Sequence, residues 1–324
     1  MKLFCLVLLT GALWAQNALL VISHKAASTL GYYTLEGKLL STVAVGKHPH
    51  EMVLSRDGRY LYVTDNGTMR VEQAGTGGNT LSIVDVKARR KVGEISLGRF
   101  HRPHGIALDS KTGRLFVTTE LPDQLLIVDP VGKTVLRTFE TQGKTSHMVT
   151  LGPGAKFAYV SNSSSGAVAA IDIATGFASV IATGQRPEPS VLAPDGRTLY
   201  VGNRDGGTVT FIDTAKNAVA GEMKTGRGPV RVAVTPDGRT LVYSVYYENT
   251  VEIADLASRK IIGKVQLPYR PVSLSLSRDG KLAYASAQDE DIVYVVSVAD
   301  KKIVREIKAP AGSGPDPVME ISGQ

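Results

Sequence analysis

A repeat of about 42 residues constrains this chain more than any other feature. Asp-Gly, Pro-Gly or Thr-Gly turns end at Gly58, Gly113, Gly154, Gly196, Gly238 and Gly280, and from Gly113 onward the steps are 41, 42, 42 and 42. The step from Gly58 to Gly113 is 55, and the segment Met69 to Thr80 (MRVEQAGTGGNT) carries the excess. A fixed period of this length marks a repeat architecture in which each unit buries its apolar face against the next.

Each unit reads as four strands. A Pro-led strand (HPHEMVLS, RPHGIALD, RPEPSVLA, GPVRVAVT, RPVSLSLS) enters the glycine turn. A second strand leaves it (YLYVTDN, RLFVTTE, FAYVSNS, TLYVGNR), and a hairpin such as TVTFIDTAKNAVAGEMKTG completes the unit. Two-residue alternation, Val, Ile, Tyr and Thr content and Asp-Gly turns are strand and hairpin chemistry. Four strands in this length make one blade of a β-propeller. With 43% apolar and 21% charged residues the chain can bury such a core, which excludes disorder.

Seven blades are expected. The later hairpin recurs seven times, starting near Tyr33, Leu81, Leu125, Val168, Val209, Val251 and Val293. Ala18 to Ser23 is the first copy of the second strand, so the N-terminal blade lacks its innermost strand. Gly314 to Glu320 supplies it from the other end, closing the ring and removing exposed strand edges. Residues 16–324 then form one all-β domain, expected to be a monomer.

The second strand resembles the YVTN β-propeller repeat family, standing here as Tyr62-Val63-Thr64-Asp65, Tyr159-Val160-Ser161-Asn162 and Tyr200-Val201-Gly202-Asn203. The resemblance covers the whole chain after the leader. It implies an exported bacterial or archaeal propeller and no particular activity, since a fold does not select a function.

Met1-Lys2 followed by the apolar run Leu3 to Leu13 and Ala15 has the grammar of a signal peptide, residues 1–15. A periplasmic or secreted protein without a transmembrane segment is expected. Cys5, the only cysteine, lies inside that leader, so disulfides, thiol catalysis and cysteine-ligated metals are excluded after cleavage.

Candidate chemistry gathers at the entry of the Pro-led strands, with Thr145 standing for the missing proline of the fourth. The preceding residues give a collar of Arg102, Lys144, Arg186 and Arg270 with His48. The following residues give a ring, Asp316, His50, His104, Ser146 and Glu188, with apolar Val230 and Val272. Glu51, His147 and Arg231 come one position later. Five of the six histidines, His101 included, fall in this band.

Three readings follow. Cationic side chains (Arg102, Lys144, Arg186, Arg231, Arg270, with His48 and His101) would gather a small anionic ligand or a protein partner. His50, His104, His147 and Asp316 could instead hold one divalent transition metal, with Glu51 or Glu188 as base in a lactonase- or lyase-like enzyme, provided the imidazole nitrogens converge on a common point. The plainest reading is polar capping of strand ends around a wet channel. The enzyme question stays open, leaning towards binding. The net charge of +7 favours anionic partners, but basic residues spread over all blades without an aromatic stripe argue against nucleic acid.

Overall fold

The computed structural model describes residues 18–322, so the leader and its cleavage point lie outside the described residues. Twenty-eight strands form seven four-stranded antiparallel sheets. Blade 1 combines Ala18–His24, Thr29–Thr34 and Leu39–Ala44 with Pro315–Ser322, which pairs antiparallel to Ala18–His24 as the innermost strand. Blades 2 to 7 follow in chain order, with innermost strands Pro49–Leu54, His101–Leu108, Ser146–Leu151, Pro187–Leu192, Pro229–Val234 and Ser273–Leu276. The expected seven-bladed ring, closed by its C-terminal strand, is thus the observed one. One boundary differs: the first later hairpin begins at Thr29, with Leu30 in the place of Leu81 and Val209, because Tyr33 lies near the end of that strand.

Burial follows position within the blade. Second and third strands such as Leu61–Asp65 and Leu81–Val84 are buried throughout, whereas outer strands such as Arg90–Ser96 alternate exposed and covered. The middle strands are sandwiched between neighbouring blades, so both faces must be apolar. One such cluster packs Tyr62, Leu81, Ile83 and Ile95 of blade 2 against Leu115, Val117, Leu126 and Val128 of blade 3.

The tetrapeptide repeat has a structural task that positions the channel. In blades 2, 3 and 7 its third residue reaches into the next blade: Thr64 Oγ1 donates to the His104 carbonyl at 2.9 Å, Thr118 Oγ1 to that of His147 at 2.6 Å, and Ser286 Oγ to that of Asp316 at 2.5 Å. Its fourth residue anchors the loop entering its own blade, as when Asp65 accepts from Gly46 N at 3.0 Å and Asn203 from Gly184 N at 3.1 Å. These buried polar side chains fix the spacing of the blades because leaving any of them unpaired would cost on the order of 1–3 kcal/mol.

Candidate functional site at the channel mouth

A β-bulge creates the site. In blades 1 to 6 the innermost strand loses register with its neighbour near its start, as between Pro49 and Met52 in blade 2 or Pro103 and Ile106 in blade 3. A bulge bends its strand and re-aims a side chain. Here it accompanies the residue that follows the proline, and in all seven blades that residue lines one cavity of about 410 Å³ at the channel mouth: His50, His104, His147, Glu188, Val230, Val272 and Asp316.

This ring corrects the sequence alignment in blade 4. Ser146 pairs with Asn162 as Pro49 pairs with Asp65, so Ser146 occupies the proline position and His147, not Ser146, belongs to the ring. Thr145 takes the left-handed backbone (φ 58°) found at His48, Arg102 and Arg186. Lys144 therefore stands one step outside the expected collar; it is exposed and does not line the cavity. His48 and His101 also lie off the cavity wall, His48 with its Nδ1 3.1 Å from the Lys25 carbonyl.

Three histidines on consecutive blades thus meet. The ring centroids of His50 and His104, and of His104 and His147, are each 3.8 Å apart, tilted by 43° and 40°. Burial, reinforced by mutual repulsion in His50 and His147, holds all three well below the ordinary imidazole value, so they are neutral at pH 7. The expected metal set of His50, His104, His147 and Asp316 is brought to one ring, but as a stack: lone pairs lie in the ring planes, and two Nδ1 atoms already face carboxylates. Among the described residues no group of three or more His, Cys, Asp or Glu is placed to hold a metal ion.

Carboxylates and cations interlock around the stack. Glu51 pairs with Arg231, which crosses the channel from blade 6, and lies 3.3 Å from His50 Nδ1. Burial still pushes Glu51 up to about 7 against the pull of Arg231. Glu120 Oε1 is 2.7 Å from His104 Nδ1 and its Oε2 is 3.4 Å from Arg102; burial raises it too to about 7. Glu188 accepts from Arg186 Nε at 2.7 Å and from Arg204 Nη1 at 3.1 Å, and Asp316 faces Lys25 at 3.4 Å. Neither Glu51 nor Glu188, the two expected bases, is free of a guanidinium. Arg270 lines the cavity, donating to the Tyr246 hydroxyl at 3.0 Å, and Arg204 and Arg270 both lie over the Tyr246 ring. His104 Nε2, His147 Nδ1 and Arg204 Nε are buried without a hydrogen-bond partner.

The collar arginine Arg102 turns away from the channel to the insertion. Its guanidinium donates to the carbonyls of Val71 at 2.9 Å, Gly75 at 2.8 Å and Gln73. Glu72 on the same insertion takes Arg186 Nη2 at 2.7 Å, and Met69 to Glu72 form part of the cavity wall. The insertion is therefore a strap across one side of the mouth.

Thr68, Tyr247 and Asp289 on the wall escaped the sequence reading, and so did six more: Lys25, Asn66, Glu120, Arg204, Tyr246 and Gln288. These six share one repeat position. Each directly follows the last residue of the tetrapeptide slot, as Asn66 follows Asp65 and Arg204 follows Asn203. Reading that column across the blades would have found them.

Fold and site together define a seven-bladed propeller with a charged, histidine-floored cavity at one mouth. No protein-family model and no curated protein matches the chain. Among solved structures it is similar to a functionally unknown protein from Desulfotomaculum acetoxidans (16% identity, 94% of this chain and 99% of that one, TM-score 0.78). It is also similar to Kuenenia stuttgartiensis hydrazine synthase (18%, 85% and 95%, 0.69) and to dihydro-heme d1 dehydrogenase NirN in complex with DHE (13%, 93% and 74%, 0.68). At these identities the likeness is one of fold.

Proposed function

We propose that this chain is an exported, YVTN-type propeller, periplasmic or secreted, that binds a small anionic ligand in the mouth cavity. One observation carries this reading: Arg204 and Arg270 border the cavity over neutral imidazoles, and Arg204 Nε is buried without a hydrogen-bond partner. Cations in a confined site concentrate anions, and a volume of 410 Å³ lies in the range of small-molecule pockets. An acidic side chain of a protein partner would meet the same arginines.

Calorimetry with citrate at pH 7.5 and low salt tests it. Citrate should bind the native protein, more weakly as salt rises, and at least ten-fold more weakly to Arg204→Gln/Arg270→Gln. Absence of binding by citrate, phosphate and sulfate alike would sink the reading.

A second reading, an enzyme using the channel histidines, is favoured by the His104–Glu120 contact, in which a carboxylate orients an imidazole whose other nitrogen is free for proton transfer. Its metal-dependent form predicts about one equivalent of a transition metal in untagged protein purified without chelators. Loss of that metal in His50→Ala/His104→Ala/His147→Ala would move the case to the enzyme.

A further inference from the structure

The anion reading leaves open what else the ligand must carry, and the tautomer of His104 answers it. Glu120 Oε1 lies 2.7 Å from His104 Nδ1, and Arg102 Nη1 approaches the other oxygen. Above the value of about 7 to which burial raises it, Glu120 is ionised and accepts at both oxygens, so at pH 8.5 His104 Nδ1 is the protonated nitrogen and Nε2 is left as a bare acceptor. That Nε2 is buried, on a residue 1% exposed that lines the cavity, and no protein group donates to it. His50 stacks on His104 with its own Nδ1 3.3 Å from Glu51 Oε1, the oxygen that Arg231 also approaches.

We propose, resting on the anion reading, that the ligand is a hydroxylated carboxylic acid: its carboxylate meets Arg204 and Arg270, and a hydroxyl donates to His104 Nε2. A pocket that offers buried acceptors discriminates strongly against an analogue without the matching donors, because the acceptors are then left dry and unpaired. Glu120 is a positioning residue, acting through His104. In Glu120→Gln the amide oxygen is claimed by Arg102, so the amide NH₂ faces His104 Nδ1 and moves its proton to Nε2, turning the acceptor into a donor.

Glucarate and adipate are six-carbon dicarboxylates that differ only in their hydroxyls, and their affinities by calorimetry test the proposal. At pH 8.5 glucarate should bind at least ten-fold more tightly than adipate, and Glu120→Gln should lose that preference. Equal binding of the two overturns the hydroxyl requirement and leaves the anion site standing; binding of neither overturns both. Long-range ¹⁵N–¹H spectra of the unmutated, ligand-free protein give a readout that needs no variant to fold. At pH 8.5 they should show His104 protonated on Nδ1, and a proton on Nε2 overturns the proposal.

Discussion

At the scale of single residues, the mouth is a set of titratable groups whose burial outweighs their neighbours. His24, hydrogen-bonded to Tyr33, is held at about 4, and the three stacked histidines are lowered too. Each binds its proton more readily in the unfolded chain. Their stability contribution is therefore complete above pH ~6.5 and lost as the pH falls below that value. Glu51 and Glu120, raised to about 7, run the other way: their contribution is complete below about pH 4.3 and is lost as the pH rises through 7. Glu120→Gln isolates one of these terms, since glutamine resembles the protonated acid at every pH. Relative to the native protein, the variant should gain on the order of 3 kcal/mol between pH 5 and pH 8 in urea denaturation. A difference independent of pH would show that Glu120 titrates normally in the folded state.

The same scale shows where sequence reading slipped. Proline marks the ring position in every blade but the fourth, where Lys144-Thr145-Ser146-His147 offers no marker, and a one-residue error there exchanged His147 for Ser146. The cue that decides it, a left-handed Thr145 followed by Ser146 opposite Asn162, is conformational and not written in residue type. Glycine also matters at one site here. A Cβ on Gly105 would lie 2.8 Å from Val149 N and 2.9 Å from the His147 carbonyl, so only glycine lets the strands bearing His104 and His147 approach closely enough to stack.

At the scale of elements, the repeat strands were legible because alternation and turn residues recur with the blade, and the innermost strand of blade 1 was legible because its place was empty at the N-terminus. The strap was legible only as a departure from the period. Its conformation depends on contacts with Arg102 and Arg186 that no local pattern encodes. Arg102 holds three carbonyls of the strap and also faces Glu120. Arg102→Ala should therefore speed amide hydrogen exchange in residues 69–77 by at least ten-fold while the outer strand Arg90–Ser96 exchanges as before. Unchanged exchange in the strap would mean that its own turns, and not Arg102, hold it in place.

At the scale of the whole molecule, ring closure turns a linear repeat into a site. One repeat position becomes a ring of seven side chains and a neighbouring position becomes the wall above it, so a run of substitutions along the sequence becomes an asymmetric arc around a channel. Blades 2 to 4 supply the imidazoles, blades 6 and 7 the apolar Val230 and Val272, and the arginines stand between and above them. That asymmetry is the ground for proposing a binding site over generic polar lining, and it was visible in the sequence before the wall residues were. A crystal soaked in selenate and measured at the selenium absorption edge tests the proposed anion site. Anomalous density is expected in the mouth cavity against Arg204 and Arg270; selenate found only on the outer faces of the blades, with the cavity empty of it, would rule the site out.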